Sequence, residues 1–166
     1  MGKSDADRVA VWASFLHAHS ALMTQLEREL VAERGITLPW YDVLLQLYQA
    51  DGELRMQELA GAVLLSKSGL TRLVDRMETA GLVARRACPS DRRGTLVGLT
   101  SQGRETFRRA APVHRRGIRE HFTDKLDEDD LGALARVLAK VMGPAPADEV
   151  GDCGAAAAEA EAVPTG

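Results

Sequence analysis

Residues 56–99 constrain the fold of this chain more than any other segment. Apolar side chains recur there three and four residues apart, which predicts a short helix, a tight connection and a second helix. Two strand-like segments follow, on either side of a turn-rich link that carries adjacent arginines. Helix, short turn, helix and a hairpin with a basic tip are the elements of a winged helix-turn-helix. The pattern therefore predicts a second helix shaped to enter a major groove of DNA.

The second helix, predicted over 66–80, has two faces of different chemistry. Its apolar stripe is predicted to be buried and consists of Leu70, Leu73, Val74 and Met77. The residues predicted to contact bases and phosphates are Ser66, Lys67, Ser68, Thr71, Arg72 and Arg76. Ser66 is also expected to cap the helix and Gly81 to end it. Asp75 shares the polar face, and we expect it to orient Arg72 or Arg76.

The link at 89–94 forms the tip of the predicted wing and carries Arg92 and Arg93. A narrow minor groove has an enhanced negative potential that attracts guanidinium groups. The tip is therefore suited to a minor groove, and Arg92 is expected to meet a phosphate. A merely solvated, charged hairpin is the alternative.

The charge of the chain is distributed unevenly along its length. The net charge is −3 and the sequence pI is about 5.8, which argues against indiscriminate binding of polyanions. Residues 66–116 nevertheless hold 12 Lys and Arg against 4 Asp and Glu, whereas 143–166 hold five acids and no base. A basic middle within a mildly acidic chain is the electrostatic pattern of a nucleic-acid face.

The composition excludes several classes of protein. The 166 residues suffice for one domain with a sizeable core. The longest apolar run falls well short of the roughly 20 residues that span a bilayer, and the polar N-terminus has no signal-peptide core. Cys88 and Cys153 make neither a disulfide framework nor a metal site. We therefore expect a cytoplasmic protein that does not contact the membrane.

Helices are also predicted on both sides of 56–99. The first, over 5–34, has a heptad seam made of Val9, Trp12, Leu16, His19, Met23, Leu26 and Leu30. A second apolar face lies beside the seam, so one side is expected to serve the core and the other a partner subunit. The next helix is predicted to start at Pro39, and Leu54 to pair as a third strand.

After the wing, Thr100 is expected to cap a helix that Pro112 perturbs. Asp127 is expected to cap the last helix. Residues 143–166 hold too little apolar bulk to offset the entropy of ordering, and are predicted to be disordered.

Three segments carry a resemblance to the MarR family, the multiple antibiotic resistance regulators. They read LPWYDVLLQL, MQELAGAVLLSKSGLTRLVDRMETAGLV and PSDRRGTLVGLTSQGR, and the resemblance covers about 9–142. Arg93 matches the family arginine that enters the minor groove, with Asp91 as its support. One departure is Arg55, which stands where the family has a Ser or Thr cap, although Glu58 is present.

The resemblance implies a mainly α fold with a small β-wing. It assigns 36–99 to a winged helix-turn-helix domain, with helices at 56–63 and 66–80 and the wing at 82–99. Residues 5–34 and 100–142 would form a helical dimerisation region. It also implies a homodimer on a palindromic operator in double-stranded DNA, with recognition helices about 34 Å apart. Most members are repressors, released by small anionic or aromatic ligands, by oxidation or by metal.

An effector pocket is implied between the dimerisation helices and the DNA-binding lobe. The candidates by position are Trp12, Phe15, His19, Trp40 and Tyr41. Packing in the core or at the interface is the alternative for each of them, because aromatic side chains at helical spacing usually pack.

Other functions receive less support. Cys88 follows Arg85 and Arg86, whose charges favour a thiolate, so a redox-switched regulator is one alternative. A winged helix that contacts protein is another. His114 and His121 lie two turns apart, a spacing that makes no compact metal motif. The sequence contains no nucleophile–base arrangement and no phosphate-cradling glycine loop, so we expect neither an enzyme nor a bound cofactor.

Overall fold

The computed structural model describes residues 4–63, 67–88 and 91–143, with backbone alone for residues 67 and 91–93. Within these ranges the chain is mainly helical with one small antiparallel sheet, which confirms the predicted fold class. The elements are α1 Asp5–Arg34, α2 Leu38–Gln49, β1 Glu53–Arg55, α3 Met56–Ala62, α4 Lys67–Thr79, β2 Val83–Cys88, β3 Asp91–Leu99, α5 Ser101–His121 and α6 Glu128–Met142. A short 3-10 turn, Thr123–Lys125, precedes α6.

The helix ends follow local chemistry that can be seen in the sequence. The hydroxyl of Thr100 accepts from the backbone N–H of Gly103 at 2.9 Å, and Asp127 Oδ1 accepts from Asp130 N at 2.8 Å, so both predicted caps are confirmed. Gly81, two residues after the last residue of α4, has φ +75°. Its N–H donates to Glu78 O and the next N–H donates to Met77 O, each at 2.9 Å, which is the Schellman pattern.

Two helix starts depend on carboxylates. Glu58 Oε2 accepts from the backbone N–H of Arg55 at 2.8 Å, so the glutamate half of the α3 capping box is formed. α2 begins at Leu38, one residue before the predicted start at Pro39. The cause is a distant residue: Glu27 Oε2, on α1, accepts from Leu38 N at 2.8 Å and satisfies an N–H that local sequence leaves open.

The sheet has the order β1-β3-β2, and both pairs are antiparallel. The third strand predicted at Leu54 is present, since Leu54 pairs with Val97. β2 packs against α4, and β3 leads directly into α5. The wing is therefore continuous with the helix expected to enter DNA and with the helix that follows it.

The core lies between α2, α3, α4, the sheet and the first half of α5. Phe107 on α5 is fully buried, with its ring centroid 5.6 Å from that of Tyr41 and 4.6 Å from that of Tyr48. The predicted stripe of α4 is buried within the same core. Gly103 permits the closest approach, because a Cβ at this position would lie 1.9 Å from the carbonyl oxygen of Leu82.

α1 divides along its length, whereas its sequence pattern suggested a division around its circumference. Every residue from 4 to 21 is exposed, and burial begins only in the second half, at Leu26 and Leu30. There α1 packs closely on α5, since a Cβ at Gly117 would lie 2.7 Å from Leu26 Cδ2. At about 1.5 Å per residue, the first half of the helix extends beyond the other described elements of the protomer.

Some expectations lie outside the described residues. They are the cap at Ser66, the turn at Pro89 and Ser90, and the disorder predicted for the tail from residue 144 onward. The division into a DNA-binding domain and a dimerisation region remains a prediction.

Candidate nucleic-acid interface

α4 presents a polar face to solvent because its apolar face is fixed in the core. Leu70, Leu73, Val74 and Met77 are all at most 3% exposed. The opposite side carries exposed Ser68, Thr71, Arg72 and Arg76, all of them predicted DNA contacts. Lys67 is the first residue of the helix, and its side chain is outside the described atoms, as is the whole of Ser66.

The wing is formed by β2 and β3, which pair from Val83 with Leu99 to Cys88 with Asp91. Its register shifts between Ala87 and Cys88, close to the tip. Asp91, Arg92 and Arg93 are the first residues of β3, whereas the sequence predicted them in the link before a strand at 95–99, so that prediction is corrected. Their side chains are not among the described atoms, and their proposed roles stay predictions.

Asp75 contacts a residue that the sequence pattern did not suggest. Its Oδ1 lies 2.6 Å from Nη1 of Arg85, on β2, so the expectation that it orients Arg72 or Arg76 is corrected. The same Nη1 lies 2.9 Å from Glu78 Oε2. The neighbouring Arg86 instead pairs with Glu53 on β1. Adjacent strand residues point to opposite faces of a sheet, so the two arginines serve different neighbours.

Comparisons with known proteins agree with this architecture. A sequence profile of the MarR family matches residues 34–94. The HTH-type transcriptional regulator YdgJ of Bacillus subtilis is 30% identical over 138 residues, which cover 79% of this chain and 83% of that protein. AbsC, a MarR family transcriptional regulator from Streptomyces coelicolor, is 38% identical with a TM-score of 0.78, over 86% of this chain and 95% of AbsC.

The chain belongs to the MarR family. It is a winged-helix transcription regulator, as the three segments quoted above predicted, and these relatives are named as regulators and not as enzymes. A second solved structure is that of Sco3205, a MarR family regulator from Streptomyces coelicolor in complex with DNA. It is 34% identical with a TM-score of 0.74, over 90% of this chain and 96% of Sco3205.

The five effector candidates of this MarR-family chain lie in two places. Trp12, Phe15 and His19 form a ladder of rings on α1, with successive centroids 5.9 and 6.4 Å apart. Tyr41 is 2% exposed and packs in the core. Trp40, the preceding residue on α2, is half-buried and packs against that core.

Three cavities lie near these residues. One of about 470 Å³ lies between α1, α2 and α4, and its lining includes Trp40, Leu73 and Arg76. A second, of about 380 Å³, lies between α1 and α2, and Glu27 and Asp42 are on its wall. The third, of about 360 Å³, is almost wholly apolar and is enclosed by α1, α5 and α6, with Phe15 and His19 on its wall.

Two partly buried groups near these helices, Asp42 and His114, have shifted pKa values. Burial raises the pKa of Asp42 to about 6, and the nearby Glu27 carboxylate adds to the rise. Burial lowers the pKa of His114 to about 4. The His114 ring packs on Tyr41 with centroids 4.4 Å apart, and its buried Nδ1 has no hydrogen-bond partner among the described residues.

The remaining candidate residues are held by structural contacts. His121 Nε2 lies 2.6 Å from Glu29 Oε1, which joins α5 to α1. No group of three potential metal ligands occurs among the residues that the structure covers. Cys88 is buried, with 6% of its surface exposed, at the end of β2. A search of the described helices finds none that is long and apolar enough to cross a membrane.

Proposed function

We propose that the chain is a homodimeric repressor that binds a palindromic operator and is released from it by a small aromatic or anionic molecule. The observation that carries this proposal is the polar face of α4, exposed beside a wing that shares its core. Sco3205, at 34% identity, was solved in complex with DNA. As a regulator of transcription, the protein would act in the cytoplasm.

In this proposal the DNA contacts are divided between the helix and the wing. Ser68, Thr71 and Arg72 on the exposed face of α4 read base edges, since hydroxyl and guanidinium groups suit the major groove. Ser66, Lys67, Arg76 and Arg92 meet phosphates, and Arg93 enters the minor groove with Asp91 beside it.

Unpaired apolar surface at both ends of the chain supports the homodimer. Trp12 is 59% and Phe15 47% exposed on α1, and Val137 is 53% and Val141 77% exposed on α6. No residue of α6 is buried, although its apolar side chains recur at helical spacing. A contiguous apolar surface of this kind marks an interaction site. Pairing two copies through α1, α5 and α6 would cover it and set the distance between the two α4 helices.

For the effector, we propose the cavity that Trp40 lines. Its wall includes Leu73 and Arg76 of α4, so a ligand there contacts the recognition helix directly. Trp40 offers an aromatic face and Arg76 a guanidinium, which match an aromatic acid, while the Glu27 carboxylate on the same wall already accepts the N–H of Leu38. A ligand that fits the cavity better when α4 is tilted would shift the dimer toward a state that no longer matches successive major grooves.

The DNA-binding proposal is tested by selecting duplexes from a random-sequence library with the purified protein. We expect an enriched inverted repeat, bound with an affinity that falls steeply as salt rises, because phosphate contacts release counterions. Failure to enrich any sequence would contradict the proposal.

The effector proposal is tested by titrating the complex with benzoates and phenols, for the wild type and for Trp40→Ala. We expect release of the wild type from the selected duplex at ligand concentrations that leave the variant bound. Equal release of both proteins would remove Trp40 and its cavity from the account.

A further inference from the structure

Arg85 joins the recognition helix to the wing, a role to which neither the sequence pattern nor the family resemblance pointed. We propose that it is a positioning residue for DNA binding, which holds α4 at the angle to the wing that lets both reach one duplex. This inference rests on the proposed function. It concerns a residue outside the predicted DNA contacts.

The ion pairs of Arg85 and the hydrogen bonds described here all join it to one element, the helix α4. Its Nη1 lies 2.6 Å from Asp75 Oδ1 and 2.9 Å from Glu78 Oε2. Its Nη2 donates to the backbone carbonyl of Thr71 at 3.2 Å, and its own backbone N–H donates to Glu78 Oε1 at 2.8 Å. One residue of the wing thus engages three positions of α4.

The three positions lie along one side of α4. Thr71, Asp75 and Glu78 are separated by four and three residues, so they follow one another over two helical turns, or about 10 Å. A single contact point would allow the helix to rotate or tilt about it. Contacts spread over two turns oppose both motions, and the planar fork of guanidinium fixes the directions of its hydrogen bonds.

These ion pairs are suited to orientation more than to stability. The side chain of Arg85 is 23% exposed, and those of Asp75 and Glu78 are 57% and 40% exposed. Ion pairs with this much solvent access add little to folding, because water and salt screen them. The apolar stripe of α4 already anchors the helix in the core. What Arg85 adds is a fixed relation between the helix and β2, while Thr71, whose carbonyl it holds, lies on the proposed DNA face.

Arg86 provides a matched control on the same strand. It has the same charge and is also paired with a glutamate, but that glutamate is Glu53, on β1. Arg85→Met and Arg86→Met therefore remove the same charge from adjacent positions. Only the first breaks the connection to α4.

The experiment measures binding to a duplex selected by the wild type from a random library, and to a duplex of random sequence. We expect Arg85→Met to weaken binding to the selected duplex about tenfold relative to Arg86→Met, the size of one lost base contact. Binding to random sequence should differ less than about twofold between the two. Arg85→Lys keeps the charge but not the fork, so its affinity should fall between those of the wild type and Arg85→Met.

The salt dependence separates positioning from direct contact. Log affinity falls as log salt rises. Removing a residue that itself contacts a phosphate makes this fall less steep, by about one in the magnitude of the slope. We expect the slopes of Arg85→Met and Arg86→Met to agree. If the slope of Arg85→Met alone were shallower by about one, Arg85 would be a phosphate contact and the positioning role would be overturned.

Substitution of Glu78, an acidic partner of Arg85, distinguishes the two explanations by the direction in which DNA affinity changes. Glu78→Gln removes a negative charge near DNA, so electrostatics alone predicts tighter binding. Loss of the connection predicts weaker binding to the selected duplex, which is the result we expect. Melting temperatures within about 3 °C of the wild type would show that the variants are folded. Tighter binding by Glu78→Gln would contradict the inference.

The proposed function and the positioning role of Arg85 would be contradicted by different results. If the wild type enriches no duplex, the proposed function is wrong and the role of Arg85 falls with it. If the wild type binds a selected duplex and Arg85→Met binds it equally well, only the positioning role is wrong.

Discussion

The winged-helix half of the protomer and its α1–α6 end use apolar residues in opposite ways. In the first, Leu44, Leu59 and Val74 are fully buried within the protomer itself. In the second, Trp12 and Val141 are 59% and 77% exposed, and α6 buries nothing. The first region is therefore complete within one chain. The second offers apolar surface that the described residues of one chain leave exposed, which is the basis for proposing a homodimer.

The largest effect is expected where a charge is placed on the uncovered region. Trp12→Glu should lower the free energy of dimer dissociation by about 4 kcal/mol, because twofold symmetry repeats the loss of a large aromatic contact. Sedimentation velocity over a concentration series measures it. The matched control is His17→Glu, on the same helix about 140° away from Trp12. Equal association of both variants would show that the apolar face of α1 is not the interface.

A substitution in the complete region should instead affect folding of the protomer. Gly103→Ala brings a Cβ to 1.9 Å from the Leu82 carbonyl oxygen, which has no room to move without displacing the wing. We expect a loss of about 3 kcal/mol in the free energy of unfolding, measured by denaturant titration. Gly61→Ala is the control, since nothing lies within 4 Å of its new Cβ. A Gly103→Ala protein as stable as Gly61→Ala would contradict the packing described.

Two partly buried titratable groups, Asp42 and His114, should give the protomer opposite pH dependences. The pKa of Asp42 is raised to about 6 in the folded protein, so this carboxyl ionises at a lower pH in the unfolded chain. The folded state therefore loses stability as pH rises from about 4 to 6. The pKa of His114 is lowered to about 4 in the folded protein, so this imidazole is protonated at a higher pH in the unfolded chain. The folded state therefore loses stability as pH falls from about 6.5 to 4. Each contribution is on the order of 3 kcal/mol at most.

Single variants separate the two contributions. Relative to the wild type, Asp42→Asn should gain stability as pH rises through its window. His114→Gln should gain it as pH falls. Denaturant titrations at pH 4, 5, 6 and 7 measure both slopes, and any constant packing loss at His114 leaves the slope unchanged. Parallel curves for the wild type and both variants would refute the assignments.

The wing tip should affect DNA binding while leaving both regions intact. Arg93→Ala is expected to weaken binding to a selected duplex by roughly 1–3 kcal/mol without dissociating the dimer or lowering its melting temperature. Fluorescence anisotropy at low and high salt measures the loss. Unchanged affinity at both salt concentrations would rule out a minor-groove contact by Arg93.

Local periodicity and capping chemistry predicted most of the winged helix. The stripe of α4, the cap at Thr100 and the end at Gly81 depend on residues within a few positions of each other, so the sequence displays them directly. The start of α2 was missed by one residue because its first N–H is satisfied by Glu27, eleven positions earlier. Periodicity likewise did not reveal that α1 runs beyond its support, since its seam repeats regularly along its whole length.

The site was less predictable than the fold for a related reason. Asp75 looked like a neighbour of Arg72 and Arg76 because all three lie close together on one helix. Its partner, Arg85, lies on a strand that folds back beside α4, and only the tertiary structure brings the two within 2.6 Å. The adjacent arginines in β2 were a usable signal, since strand alternation sends one of them toward α4 and the other toward β1.

The central claim is that two protomers pair through their uncovered helices and present two recognition helices to one duplex. Native mass spectrometry of the complex with the selected duplex tests it most directly. The account predicts two chains of 17.9 kDa on one duplex, with half-sites about one helical turn apart. A single chain bound to a site without an inverted repeat would contradict it.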